Sequence, residues 1–187
     1  MSSAAFFAAT TGYLYNLTIW EASGNRPRYV DTALLTLPAR ITILGYGCGI
    51  GIDTIALRAH GHTVIPAELP SPHADFAHWR MAHLGQPDTI HDPDDLPDLS
   101  PDLLWIIDTL DRLADPHAGL GHVLPQVPAV IIEDMAQSRR HGRQGFHHHR
   151  PYLNIAAFFA QYDLHPHRLG KPQLLTWTCT ARRRSKA

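Results

Sequence analysis

From position 41 onward, short unbroken apolar runs alternate with stretches whose apolar positions recur at helical spacing. Ile41-Thr42-Ile43-Leu44 reads as a strand that stops in glycines, and Ile52 to His60 as a helix ended by Gly61. His62 to Ala67 is a second strand. Ser71 can N-cap a helix from Pro72 to Leu84, with Pro72 at the favoured first position and Gly85 as its stop. Thr89-Ile90-His91 is a weak third strand. Leu103 to Ile107 is apolar throughout, as expected of a strand buried on both faces. Helical residues follow from Leu110 to about Val123, then a strand over Ala129 to Ile132 and a helix from Pro151 to Tyr162. Leu174 to Thr180 alternates apolar and polar positions and suits a closing antiparallel strand.

Strands alternating with helices predict an α/β protein of three layers: a mostly parallel sheet, an antiparallel last strand, and ligands at the carboxyl ends of the strands. Residues 1–40, with Tyr13, Tyr15 and Trp20, are expected to form a helical N-terminal cap within the same domain as 41–187; ordinary packing of this segment against the sheet is the equal alternative. The 187 residues suit one domain, and 44% hydrophobic against 18% charged content supports a buried core. A net charge of −1 gives no global field for nucleic acid or anionic lipid. The one basic run, Arg182 to Lys186, reads as a solvated terminus. Cys48 and Cys179 make neither a disulfide framework nor a four-ligand zinc pattern. No apolar run reaches membrane-spanning length, and the first residues lack a charged leader, so the expectation is a cytoplasmic protein.

The informative stretch is Ile43-Leu44-Gly45-Tyr46-Gly47-Cys48-Gly49-Ile50-Gly51-Ile52-Asp53. A glycine turn between strand and helix lets a ligand approach the backbone closely. The G-x-G-x-x-G spacing of dinucleotide sites fails in both registers, ending on Ile50 or Ile52, and there is no G-x-x-x-x-G-K-[ST] loop. The alternating Gly47, Gly49 and Gly51 resemble motif I of the class I (seven-stranded, Rossmann-like) S-adenosylmethionine-dependent methyltransferases. The resemblance continues through Asp53 to Val64 to Glu68, then Glu68-Leu69-Pro70-Ser71-Pro72, Asp92-Pro93-Asp94-Asp95-Leu96-Pro97 and Asp108-Thr109-Leu110-Asp111-Arg112-Leu113-Ala114-Asp115-Pro116. It spans about Ile41 to Ile132.

The resemblance implies S-adenosylmethionine as cofactor. Gly47, Gly49 and Gly51, with Tyr46 and Cys48, would shape the methionine-ribose loop. Glu68, followed by Leu69, would hold the ribose hydroxyls, Asp92 would meet the adenine amino group, and Asp108 would stand at the pocket wall. Two positions depart from the pattern: Gly45 stands where the family has an acid before the loop, and Asp111-Arg112 replaces a Glu-His pair. Either Tyr15 or Arg26 from the N-terminal segment compensates, or the domain binds the cofactor weakly or not at all; the persistence of Glu68 and the loop glycines favours retained binding.

Methyl transfer needs alignment, and a base only where the nucleophile has a proton to lose. Histidine titrates in the right range. His147, His148 and His149 follow the Ala129 to Ile132 strand and are the candidates for base or acceptor contact, His147 and His149 sharing one side if the segment is extended. A solvated polar loop is the other reading. His147/His149 and His165/His167 form two H-x-H pairs, but no complete ligand set accompanies them, so no metal is expected. His60 and His62 read as exposed, and His73, His78 and His83 as the polar face of the Pro72 to Leu84 helix. The expected function is methyl transfer to an oxygen or nitrogen of a small molecule or peptide, without nucleic acid or membrane. The alternatives are a fold that has lost transfer and serves as a binding partner, or one running cyclisation or metal-assisted chemistry in the same pocket.

Overall fold

The structure, a computed structural model, describes residues 3–98, 100–133, 154–168 and 174–179. Three helices, α1 (Ser3–Ala9), α2 (Thr11–Ala22) and α3 (Tyr29–Leu34), precede β1 (Thr42–Tyr46). Then come α4 (Ile52–Ala59), β2 (Thr63–Ala67), α5 (Pro72–His83), β3 (Leu103–Ile106), α6 (Pro116–Leu120), β4 (Ala129–Glu133), α7 (Ile155–Ala160), β5 (Leu164–Arg168) and β6 (Leu174–Cys179). The six strands form one sheet in the order β2-β1-β3-β4-β6-β5. β2, β1, β3 and β4 run parallel, and β6 pairs antiparallel with both β4 and β5. This is the expected α/β architecture.

Strand alternation sorts the core into two faces. Leu44, Leu104, Ile106, Val130 and Ile132 pack against Leu120, Leu124, Phe158 and Phe159 on one side. Ile43, Leu103, Trp105, Ile107 and Ile131 pack against Tyr29, Val30, Ala33 and Leu57 on the other. Thus α3 packs against the sheet as a core element of the helical layer. The helix starts follow local chemistry: Ser71 accepts the Ala74 N–H before Pro72, Asp115 accepts those of His117 and Ala118 before Pro116, and Asn154 accepts that of Ala157.

Several expectations are corrected. Thr89 to His91 is not a strand: only His91 bridges to Ala67. The helix expected over Leu110 to Val123 is two 3-10 turns, Leu110–Arg112 and Leu124–Gln126, flanking α6, because Leu113 is extended and Pro116 restarts the chain after the Asp115 cap. β5 was not foreseen. His62 and His73 are buried, at 6% and 2% exposure, rather than on polar surfaces.

The chain leaves β1 for β2 on one side and returns across it to β3 on the other. The order therefore reverses between β1 and β3, and a crevice opens there at the carboxyl ends of the strands.

Candidate functional site

A cavity of about 380 Å³ fills that crevice, a size proper to a small organic ligand. Its floor is Gly45 to Ile50, its far wall Ile107, Asp108, Thr109 and Arg112, and its roof comes from Phe7, Tyr13, Leu17 and Trp20 of the N-terminal helices. Among the sequence-derived residues, Tyr46, Gly47, Cys48, Gly49, Glu68, Leu69 and Asp108 all line it. Gly51 instead sets the start of α4 in a left-handed conformation, φ 77°.

The loop is held from below. The Gly47 and Cys48 N–H groups both donate to the Ala67 carbonyl, at 2.9 and 3.0 Å, so the turn is tied to the end of β2. Gly47 has φ 72°, and a methyl group there would lie 2.2 Å from Thr109 Oγ1. Glycine is required at this position on both counts. The Gly49 N–H donates to Glu68 Oε2 at 2.7 Å and the Leu69 N–H to Oε1 at 2.9 Å, so the carboxylate is oriented before any ligand arrives. Burial, with Glu68 nearby, pushes the Cys48 thiol up, which leaves it an inert filler rather than a nucleophile.

At the far wall, Asp108 has φ 53°, a strained conformation for a side-chain-bearing residue. Its N–H donates to Glu133 Oε2 at 2.8 Å and its carboxylate pairs with Arg112 at 2.6 Å. The Arg112 guanidinium lies over the rings of Tyr13 and Phe7, 4.8 and 5.4 Å from their centroids. Burial lowers the Arg112 pKa to about 10, with Glu133 opposing, and burial raises that of Glu133 to about 7. His73, at the start of α5, adds its ring to the lining: Nε2 is 3.5 Å from Glu68 Oε1, and Tyr13 packs edge-on against it.

Near Gly45, Arg26 donates from Nη1 and Nη2 to the two oxygens of Asp53, each at 2.7 Å, and Trp105 Nε1 donates to Asp53 Oδ2 at 2.9 Å. Burial opposes the charge on Arg26, but Asp53 more than offsets this and raises its pKa. Of the two compensating residues expected from the sequence, Arg26 lines the cavity. Tyr15 is 66% exposed and does not, because α2 turns Tyr13 and Leu17 inward instead. Asp92 is also displaced: its carboxylate accepts the Asp94 N–H at 3.0 Å, and Pro93 and Asp94 line the cavity in its place. His147, His148 and His149 lie outside the described residues. Among the described residues no group of three or more His, Cys, Asp or Glu side chains is placed to hold a metal ion, and no helix is long and apolar enough to cross a membrane.

The sequence reading missed His73, whose helix position gave no cue to burial, and Asp53 and Trp105, whose pairing needs segments far apart in the chain.

No family model matches the chain, and no curated protein matches its sequence. Solved structures do match its fold. Magnesium protoporphyrin IX methyltransferase from Synechocystis PCC 6803 with bound SAM superposes with a TM-score of 0.68 at 15% identity, over 96% of this chain and 98% of that one. A TehB-like SAM-dependent methyltransferase from Corynebacterium glutamicum gives 0.65 at 16% identity, over 90% and 97%. A SAM-dependent methyltransferase from Aquifex aeolicus gives 0.62 at 16% identity, over 79% and 87%. The chain therefore has the class I methyltransferase fold.

Proposed function

We propose that the protein is an S-adenosylmethionine-dependent methyltransferase that modifies an oxygen or nitrogen atom of a small molecule or peptide. One observation carries this reading: on this fold, Glu68 is fixed by the Gly49 and Leu69 N–H groups in the lining of a cavity whose floor is the alternating-glycine loop. The residues present fit the cofactor. The Gly47 to Gly51 loop offers bare backbone, and Glu68 has further lone pairs for a cis-diol. The apolar Leu69 and Pro93 suit a flat base, and the acidic lining suits a sulfonium cation.

Bound there, S-adenosylmethionine supplies an electrophilic methyl group. The chain's own contribution is alignment and exclusion of water. Phe7, Tyr13, Leu17 and Trp20 roof the cavity, and Arg112 ties that roof to Asp108. His147, His148 and His149 are proposed as acceptor contacts, one of them taking the proton an acceptor loses. This is supported by the position of their segment after β4, whose last residue, Glu133, already bonds to the cavity-lining Asp108.

Calorimetric titration with S-adenosylmethionine and S-adenosylhomocysteine, with NAD as control, tests the reading. Binding of both adenosyl ligands but not NAD is expected, lost in Glu68→Ala. No binding of either would overturn it.

A further inference from the structure

The outward face of α5 is chemically its own complement when read backwards. Ala74, Ala77 and Met81 are buried, while Asp75, Trp79, Ala82 and His83 lie exposed on the opposite side of the helix. Asp75, Trp79 and His83 are four residues apart and form one ridge along it. Trp79 is 58% exposed, with the His83 ring stacked on its indole at 5.4 Å and 12°, and Phe76 beside it at 5.5 Å. Leu84, 50% exposed, carries the apolar area past the helix end. A lone exposed tryptophan is ordinary. One held between two rings of its own helix is already ordered, so covering it costs little further side-chain entropy.

The order of residues along the ridge selects the partner. About Trp79, an acid four positions before is matched by an imidazole four positions after, and a large ring three before by a methyl group three after. Two antiparallel copies of α5 related by a two-fold axis at Trp79 therefore bring Asp75 against His83 of the second copy and Phe76 against its Ala82. Each pairing occurs twice, and the two indoles meet on the axis. An imidazole N–H can donate to the carboxylate whether the ring is neutral or charged. Ridges of residues four apart packing together give the commonest helix–helix class, crossing at about −50°. A parallel pair would instead set acid on acid and imidazole on imidazole. His78 and Arg80 fall on the two flanks, outside the ridge, and Arg80 turns inward, its Nη1 donating to the Ile50 carbonyl at 3.5 Å.

We propose that this face is a homodimer interface, where a second copy of the chain docks antiparallel about Trp79 with Asp75 paired to His83 at both ends. A single helix pair covers less than the roughly 800 Å² per partner of a standard interface, so the dimer forms at about 10–100 µM protein. The face lies across the helix from His73, which lines the cavity, so the proposal holds whatever ligand the cavity takes.

Sedimentation equilibrium of the full chain is the test. Between about 5 and 500 µM, wild-type protein should pass from the mass of one chain toward that of two. Trp79→Asp should stay monomeric with unaltered helical circular dichroism, since the side chain lies outside the core. The charge pairs give a sharper result. Asp75→Lys sets cation against imidazole twice, and His83→Asp sets carboxylate against carboxylate twice, so each variant alone should lose at least about tenfold in dimer affinity. Mixed together, the two variants should dimerise again, because the mixed pair has opposite charges at both ends.

A wild-type monomer throughout the concentration range would overturn the proposal and leave the face to a lipid surface or a different protein. A dimer that survives Trp79→Asp would overturn it as well. So would failure of the two charge variants to recombine when mixed, an outcome that stands even if the tryptophan variant does not fold.

Discussion

Thr109 Oγ1 lies 3.5 Å from the carbonyl oxygen of Gly47, so the loop after β1 and the segment after β3 touch at the point where the strand order reverses. The same hydroxyl donates to the Ile107 carbonyl at 2.9 Å, which fixes the threonine rotamer against the loop. No residue but glycine fits beneath it.

Gly47→Ala should therefore destabilise the protein by about 2–5 kcal/mol, combining a left-handed backbone cost of about 1–2 with overpacking of about 1–3. Chemical denaturation of the variant gives the number. In a Thr109→Gly background the cost should fall to about 1–2 kcal/mol, since the backbone cost alone remains. An unchanged cost there would assign the whole effect to the backbone.

Glu133 gives stability a defined pH dependence. Burial raises its carboxyl from 4.5 to about 7, so the folded protein keeps a proton that the unfolded chain has already released. Its contribution is full below about pH 4.5, declines as pH rises toward 7 and is gone above that. The total is about 3 kcal/mol. Glu133→Gln retains an acceptor for the Asp108 N–H and should remove this slope. Denaturation midpoints between pH 5 and 8, after subtraction of the wild-type profile, are the measurement; parallel profiles would contradict the assignment.

Tyr46 closes the loop from its other side by donating from its hydroxyl to the Gly119 carbonyl at 2.9 Å, and burial pushes that phenol up to about 12. Tyr46→Phe should cost about 1 kcal/mol in denaturation experiments, the ordinary net worth of one such hydrogen bond. Because Gly119 also lines the cavity, adenosyl ligand affinity should fall in the same variant. A stability loss with unaltered affinity would confine Tyr46 to the fold.

His73 is 2% exposed, and among the described residues its Nδ1 has no hydrogen-bond partner, while Nε2 faces Glu68. A buried polar atom in that condition is costly unless a ligand satisfies it. His73→Phe should thus leave thermal stability equal or higher and weaken adenosine binding. A drop in stability with intact binding would mark the histidine as structural.

The sheet was legible because its central strands are short apolar runs bounded by glycine, proline and capping residues, as in Ile43 to Gly47 and Leu103 to Ile107. β5 was not, since Leu164-His165-Pro166-His167-Arg168 has the composition of a loop. It survives as a strand at the sheet edge, where an exposed face and a proline are tolerated. The loop glycines and Glu68 could be found by spacing because the residues that position them are near in sequence. The partners that complete the site are not near: Arg26 meets Asp53 across 27 positions, and Asp53 meets Trp105 across 52. Tyr15 and Tyr13 were indistinguishable in advance, because apolar residues surround α2 on all sides and no stripe marks the inward face.

That last property has a bearing on motion. None of the residues of α2 is fully buried, yet Tyr13, Leu17 and Trp20 form much of the roof. A helix without a buried face draws its stability from what lies beneath it, so its amides should exchange with solvent well before those of β1 and β3. Occupancy of the cavity should slow that exchange more than exchange anywhere in the sheet. Hydrogen-deuterium exchange would then report ligand binding from a helix that precedes every strand of the fold.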